Sequence, residues 1–279
     1  MLTSSLAWLD DASLPLLGAV MLTGMVAAAI GGHVFRVNQN RRDEKKAVTH
    51  LSEGQEGYIV SAVLALLALL LGFTFSLATD RFDARRILVL QHANAIGTAY
   101  LRSQLLGEPH RSRLSHLLIE YTDNLVILAK APPKQVAPLL ANDDRLMTDI
   151  WAATAAGFDS IKNIDFSSTF VDSINNLIDM DGARRAARQA HVPTTVFAVL
   201  LIYIVVAAGV LGYLLSTPRG RFAAIFLMGL LTLSLLLIID IDRPTRGTIR
   251  ESQASMEQLL KSLKSQPISV YDRWRTPSQ

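Results

Sequence analysis

The chain contains no cysteine and little charge for its length. None of its 279 residues is a cysteine, which excludes disulfides, thiol catalysis and cysteine-ligated metal sites. Charged side chains make up only 18% of the sequence, against about 25% in ordinary soluble domains. Hydrophobic side chains make up 50%, and the mean hydropathy is +0.30. This balance predicts an integral membrane protein.

Signatures of catalysis and of metal binding are also missing. The six histidines are scattered, none belongs to a His-Glu-x-x-His pair, and there is no phosphate-binding loop, dinucleotide fingerprint or Gly-x-Ser-x-Gly elbow. We therefore predict that the chain is not an enzyme and needs no cofactor or metal. The net charge of +3 is mild, and basic residues beside hydrophobic runs serve topology and lipid headgroups. The lipid bilayer is the expected partner, and nucleic acid is not.

Four hydrophobic stretches reach the length of about 20 residues that a bilayer demands. They cover residues 14–35, 58–78, 194–215 and 222–241. The short turn between the last two predicts an antiparallel helical hairpin. In the first stretch, Gly24, Ala28 and Gly32 lie four apart on one helical face, which predicts close contact with another helix or, alternatively, a dimer or pore face.

The segment between the second and third stretches has mixed polarity. Apolar residues recur in it at helical spacing, as at Leu114, Leu117, Tyr121 and Leu125, and no strand pattern appears. The predicted fold class is all-α, an integral membrane protein with four transmembrane helices and a helical extramembrane domain between helices two and three. The predicted divisions are a first helix pair (1–79), the helical domain (80–192), a second hairpin (193–242) and a C-terminal tail with one amphipathic helix (243–279).

The distribution of positive charge is compatible with either orientation in the membrane. Four spans place both termini and the helical domain on one side of the bilayer. The two short loops on the other side carry seven basic residues, while nine lie near span ends on the domain side. Because positive charge marks the cytoplasmic side mainly through short loops, this count does not decide the orientation.

The second hydrophobic stretch runs into a charged segment without any turn signal. From Phe73 to Ile96 there is neither proline nor glycine, so one long helix is expected to leave the bilayer and continue outside it. Ala65, Leu69 and Phe73 share one face of that helix. In a symmetric oligomer this face would ring an axis and gate by dewetting; alternatively, it contacts lipid or a neighbouring helix.

Charged residues follow directly beyond the apolar run. They form a predicted collar that is either a solvated helix with local ion pairs or a vestibule that concentrates ions. The collar comprises Asp80, Arg81, Asp83, Arg85 and Arg86. Farther along the same helix, a small polar face predicts close packing against a helix or chain, or a cap or kink. That face comprises Asn94, Gly97 and Thr98.

Several segments resemble one bacterial family. The runs LLGFTFSLA (70–78), RFDARR (81–86) and ANAIGTAYLR (93–102) are similar to the bestrophin-like family known as the DUF4239 domain. The match includes two motifs, one at Asn94, Gly97, Thr98 and Arg102 and one after the fourth span at Asp240, Asp242, Arg243, Pro244 and Gly247. An acidic residue commonly precedes the Ala-Asn pair in this family, whereas Gln91 and His92 stand there in this chain, so no role of that carboxylate is carried over.

The resemblance extends more distantly to bestrophins, which are pentameric ion channels with four spans and a cytosolic helical domain. It implies a homo-oligomeric ion channel of the cell inner membrane, with helix two lining the pore, a cytoplasmic helical domain and inorganic ions as partners. The apolar stripe falls where bestrophins place the pore neck. The acidic calcium clasp of animal bestrophins has no evident counterpart, so no calcium gating is expected. The alternative is a non-conducting membrane scaffold or sensor whose helical domain binds a partner.

Overall fold

The computed structural model describes residues 12–43, 53–215, 217–244 and 247–274, and the regular structure in these ranges is entirely helical. The elements are α1 (Leu14–Asp43), α2 (Glu53–Ser103), α3 (His110–Lys130), α4 (Pro133–Phe158), α5 (Phe166–Gln189), α6 (Thr194–Leu214), α7 (Pro218–Asp242), α8 (Ala254–Ser265) and a 3₁₀ helix (Ile268–Asp272). Four helical stretches of the described chain are long and apolar enough to cross a membrane. The predicted all-α membrane fold is confirmed.

Proline marks the start of two helices. Pro132 precedes α4 in an extended conformation and Pro133 begins the helix, where the missing N–H costs nothing. Pro218 begins α7 in the same way, and the Thr217 hydroxyl caps this helix by accepting the N–H of Gly220 at 3.1 Å. A proline and a side-chain cap therefore fix the start of α7 directly after the short turn.

The chain forms two compact units, each built from separated segments. The first comprises Met1–Phe82 and Ala190–Arg250, and the second comprises Asp83–Gln189 and Glu251–Gln279. The first unit thus holds α1, the apolar part of α2, α6 and α7. The second holds the rest of α2, followed by α3, α4, α5, α8 and the 3₁₀ helix.

Helices α1 and α6 cross at very short range in the first unit. A Cβ atom on Gly212 would lie 2.0 Å from the carbonyl oxygen of Ala29, and one on Gly32 would lie 2.0 Å from that of Gly209. Only glycine lets the two backbones approach this closely in a membrane. The predicted close contact is confirmed at Gly32, whereas at Gly24 a Cβ would meet nothing within 4 Å, so no helix of the described chain contacts it there.

The second unit has its own core of large side chains. Tyr100, Tyr121 and Phe170, from α2, α3 and α5, are almost completely buried, as is Ile150 of α4. Helix α8 adds Met256 to this core. The amphipathic helix predicted for the C-terminal tail is therefore confirmed, and its apolar face packs against the core of the second unit.

Candidate functional site

Helix α2 is continuous from Glu53 to Ser103, which confirms the prediction that no turn follows the apolar run. Its 51 residues correspond to roughly 75 Å of helix at 1.5 Å per residue. The helix therefore extends far beyond the roughly 30 Å of a hydrocarbon core. Residues up to Phe82 belong to the first unit, and those from Asp83 belong to the second.

One face of α2 packs inside the chain, and the opposite face does not. Leu67, Leu71 and Ala78 are buried. The predicted pore-lining residues lie elsewhere on the helix: Ala65 is exposed, and Leu69 and Phe73 are 54% and 66% exposed. These side chains are apolar and no part of the described chain covers them, so this face is open to lipid, to another chain or to a passage between copies.

The charged collar divides between the two faces. Asp80, Asp83 and Arg86 are exposed, Arg81 is partly buried and Arg85 is only 2% exposed. At 3.6 residues per turn, Asp80 and Asp83 lie about 20° and 40° around the axis from Leu69, and Arg85 lies about 160° away. Arg85 is therefore not part of the exposed collar, and Asp80 and Asp83 lie on the same face of α2 as the apolar stripe.

The small polar motif farther along α2 has two roles. Gly97 faces the tail helix, because a Cβ there would lie 3.4 Å from Cδ1 of Leu259. Arg102 donates from Nη1 to the carbonyl oxygen of Thr169 at 2.5 Å, whereas Asn94 and Thr98 are exposed. Close packing is the correct alternative at Gly97, since α2 continues through the motif without a cap.

A buried polar network connects α2, α3 and α5 in the second unit. The Tyr121 hydroxyl lies 3.1 Å from Nε2 of His92 and donates to Oδ1 of Asp181 at 3.1 Å. The other oxygen of Asp181 pairs with Nε of Arg185 at 2.7 Å. Burial raises the pKa of Tyr121 well above its ordinary value, and the nearby Asp181 carboxylate adds to that shift. Tyr121 therefore serves as a neutral donor in this network.

Arg185 extends the network to α4. Its guanidinium pairs with Asp143 and Asp144, each at 2.6 Å, in addition to Asp181. Burial and the neighbouring Asp181 raise the pKa of Asp143 to about 6, outweighing the opposite effect of Arg185. One cation therefore holds three carboxylates, of which the Asp143 side chain is almost fully buried.

The motif after the fourth span uses its carboxylates to hold backbone. Asp242 accepts the N–H of Val192 through both oxygens at 3.0 Å each, and Asp240 accepts the N–H of Thr248 at 2.6 Å. The Thr248 hydroxyl also donates to Asp240. Gly247 is required beside them, because a Cβ there would lie 2.5 Å from the Asp240 carbonyl oxygen.

The remaining two residues of this motif lie beside those carboxylates in the chain. Arg243 is buried and donates from Nη1 to the carbonyl oxygen of Ala12 at 2.8 Å, and Pro244 is partly exposed. Among the residues that the structure describes, no group of three or more His, Asp or Glu side chains converges as a metal site. In this motif, Asp240 and Asp242 instead act as acceptors for main-chain groups.

Comparison with known sequences shows the family of the chain. Residues 17–256 match the sequence model of the family described as the bestrophin-like domain. The chain belongs to the bestrophin-like family. No curated protein matches it in sequence. The family resemblance inferred from the α2 and post-span motifs is therefore confirmed.

Solved structures support the same fold for this bestrophin-like chain. A bacterial bestrophin homologue from Klebsiella pneumoniae, crystallised as a point variant, matches with a TM-score of 0.67 and 16% identity, covering 91% of this chain and 99% of that one. A second variant of it matches with a TM-score of 0.62 and 19% identity, covering 88% and 98%. A chain described only as a membrane protein gives 0.62 and 17%, covering 88% and 99%. At these identities the likeness concerns the fold alone.

The buried network of the bestrophin-like chain was missed by the sequence reasoning. His92, Tyr121 and Asp181 come from three different helices and lie far apart in sequence. Only Asp181 and Arg185 carried a local signal, since an acid four residues before a base often pairs on a helix. The tyrosine was correctly placed on an apolar face, but its hydroxyl partner was not predictable from spacing.

Proposed function

We propose that this bestrophin-like protein assembles as a homo-oligomer in the cell inner membrane and conducts inorganic ions, with α2 of each copy lining the passage. The observation that carries the proposal is the uncovered apolar face at Ala65, Leu69 and Phe73. When several copies surround an axis, such a face forms apolar rings. Narrow apolar rings are costly for water and ions to fill, so they act as gates.

The charges next to the apolar run support the same arrangement. Asp80 and Asp83 are exposed on the side of α2 that carries the stripe, whereas Arg85 is buried. Several copies would place repeated carboxylates around the mouth of the passage. Because clustered negative charges raise the local concentration of cations, we propose a vestibule that favours cations over anions.

The part of α2 beyond the apolar run supports an oligomer. Ile87, Leu90 and Leu101 are 53%, 49% and 55% exposed, and they continue the same face of the helix. Large apolar side chains in a row outside the membrane are typical of surfaces that another chain covers. We propose that a second copy covers part of this row and that the second unit is cytoplasmic.

Planar-bilayer recordings of the purified full-length chain test this proposal. Phe73→Ala should change the open probability, because it removes the largest apolar side chain of the stripe. Phe226→Ala is the matched control, since Phe226 is 61% exposed on α7 and lies outside the α2 stripe. A chain that stays monomeric in mild detergent and passes no current would contradict the proposal.

A non-conducting scaffold or sensor is the second candidate. The observation that favours it is Trp151, which is 44% exposed on α4 in the second unit. Exposed tryptophans often anchor protein partners. Chemical crosslinking of the intact chain in membranes separates the two candidates, because a closed ring of copies supports a channel whereas a monomer or dimer supports a scaffold.

A further inference from the structure

An apolar groove of about 560 Å³ lies within the first unit between α1, α2 and α6. Its lining includes Gly31, Phe35, Ile59, Gly209 and Tyr213. The groove opens to the outside, since Phe35 is 65% exposed. All of its lining belongs to the helices that carry the hydrophobic stretches, so its surroundings are the acyl chains of the bilayer.

Two kinds of glycine shape the groove. Gly32 and Gly209 bring α1 and α6 into direct backbone contact, as a Cβ on Gly32 would lie 2.0 Å from the Gly209 carbonyl oxygen. Gly31, the neighbour of Gly32, faces open space, because a Cβ there would meet nothing within 4 Å. The missing side chain of Gly31 therefore leaves room for a guest without contributing to the helix crossing.

A guanidinium lies at one end of the groove. The Cζ atom of Arg36 is 5.7 Å from the ring centroid of Tyr213, which lines the groove. Nη1 of Arg36 donates to the carbonyl oxygens of Tyr213 and Leu214 at 2.9 and 2.8 Å. These bonds orient the positively charged side chain at the end of α6. Arg219 and Arg221 follow in the first turn of α7 and add to the positive charge near this end of α6.

We propose that the groove binds an anionic phospholipid, with an acyl chain along Gly31 and Ile59 and the phosphate at Arg36. The apolar groove fits a hydrocarbon chain. Tyr213 lines the groove, and tyrosine is typical of the headgroup level of a membrane. Arginine binds phosphate through charge-assisted hydrogen bonds. The positive charge selects an anionic headgroup and distinguishes this occupant from a zwitterionic lipid.

Native mass spectrometry of the full-length chain, with phosphatidylglycerol or phosphatidylcholine added to the detergent, tests the proposal. The unmodified chain should retain phosphatidylglycerol in preference to phosphatidylcholine. Gly31→Leu fills the open space and should lower phosphatidylglycerol retention by about tenfold, because the lipid loses several methylene contacts. The matched control is Gly24→Leu, at another α1 glycine where a Cβ would meet nothing within 4 Å, which should retain the lipid.

The headgroup is tested separately by Arg36→Gln. This variant should bind phosphatidylglycerol and phosphatidylcholine equally, while Gly31→Leu should weaken both. Equal retention of the two lipids by the unmodified chain would overturn the proposal, as would identical retention by the two leucine variants. If Gly31→Leu dissociates oligomers and leaves lipid retention unchanged, a second copy occupies the groove and the lipid assignment is wrong.

Discussion

Asp80 and Arg85 are five residues apart on α2, yet Asp80 is exposed and Arg85 is only 2% exposed. In sequence the segment after the apolar run has mixed charge. In the structure, the face that continues the apolar stripe carries Asp80 and Asp83, and the buried face carries Arg85. The electrostatic character of a passage lined by α2 therefore follows from the helix face and not from the net charge of the segment.

We expect that removing these carboxylates will reduce cation preference. The double variant Asp80→Asn/Asp83→Asn should lower the cation-to-anion permeability ratio by a factor of about 2–10, because fixed charge sets the local ion concentration. The measurement is the reversal potential under a potassium chloride gradient. Asp172→Asn, at a carboxylate of α5 in the second unit, serves as control. An unchanged ratio in the double variant would show that these residues do not face the ions.

The α1–α6 crossing predicts a sharp difference between two glycines. Gly212→Ala would place a Cβ 2.0 Å from the Ala29 carbonyl oxygen, and separating the helices to relieve this overlap should cost about 1–3 kcal/mol. Gly229→Ala on α7 meets nothing within 4 Å and should be neutral or slightly stabilising. Thermal unfolding in detergent compares the two. Equal melting temperatures would contradict the close crossing.

The Arg185 network predicts a large loss of stability when its single cation is removed. Arg185→Gln leaves Asp143, Asp144 and Asp181 without their shared partner, which should destabilise the chain by about 1–3 kcal/mol, mainly through the buried Asp143. Arg145→Gln is the comparison, because Arg145 makes exposed ion pairs with Asp149 and Glu120 that are worth under about 1 kcal/mol. Denaturant titration of both variants measures the difference.

The stability of the Arg185→Gln variant should depend on pH in a defined direction. Burial and Asp181 raise the pKa of Asp143 to about 6 in the intact protein, and the loss of Arg185 would raise it further. A raised pKa means that the folded state binds the proton more tightly than the unfolded state, where a carboxyl titrates near 4. Lowering the pH from about 8 to 5 should therefore recover part of the stability lost in Arg185→Gln. A stability deficit that is constant over this range would show that Arg185 does not lower the pKa of Asp143.

Much of the fold was predictable because its signals are local. An apolar run of about 20 residues identifies a span by length alone, and the absence of glycine and proline between Phe73 and Ile96 predicts that α2 does not end at the membrane. The Ala93–Arg102 run and the post-span motif identified the family for the same reason. Each of these features is contained in one short stretch of sequence.

Features that depend on distant partners were not predictable. Gly24 and Gly32 belong to the same small-residue stripe, yet only Gly32 meets α6, since a stripe does not reveal where another helix crosses it. The sequence does not distinguish Arg85 from its charged neighbours, because it does not show which face of α2 packs inside the chain. The hydroxyl of Tyr121 donates a hydrogen bond to Asp181, 60 residues away in sequence, and no local sequence pattern connects the two residues.

Because the chain contains no cysteine, single introduced thiols can show directly whether α2 lines an ion passage. Leu69→Cys and Ser76→Cys place single thiols on the exposed face of α2, and Phe226→Cys places one on the exposed surface of α7. If α2 lines an ion passage, a charged methanethiosulfonate reagent will reduce the bilayer current of the two α2 variants and leave the α7 variant unchanged. If mass spectrometry shows that all three thiols are modified while the current of the α2 variants is unaffected, α2 does not line the passage.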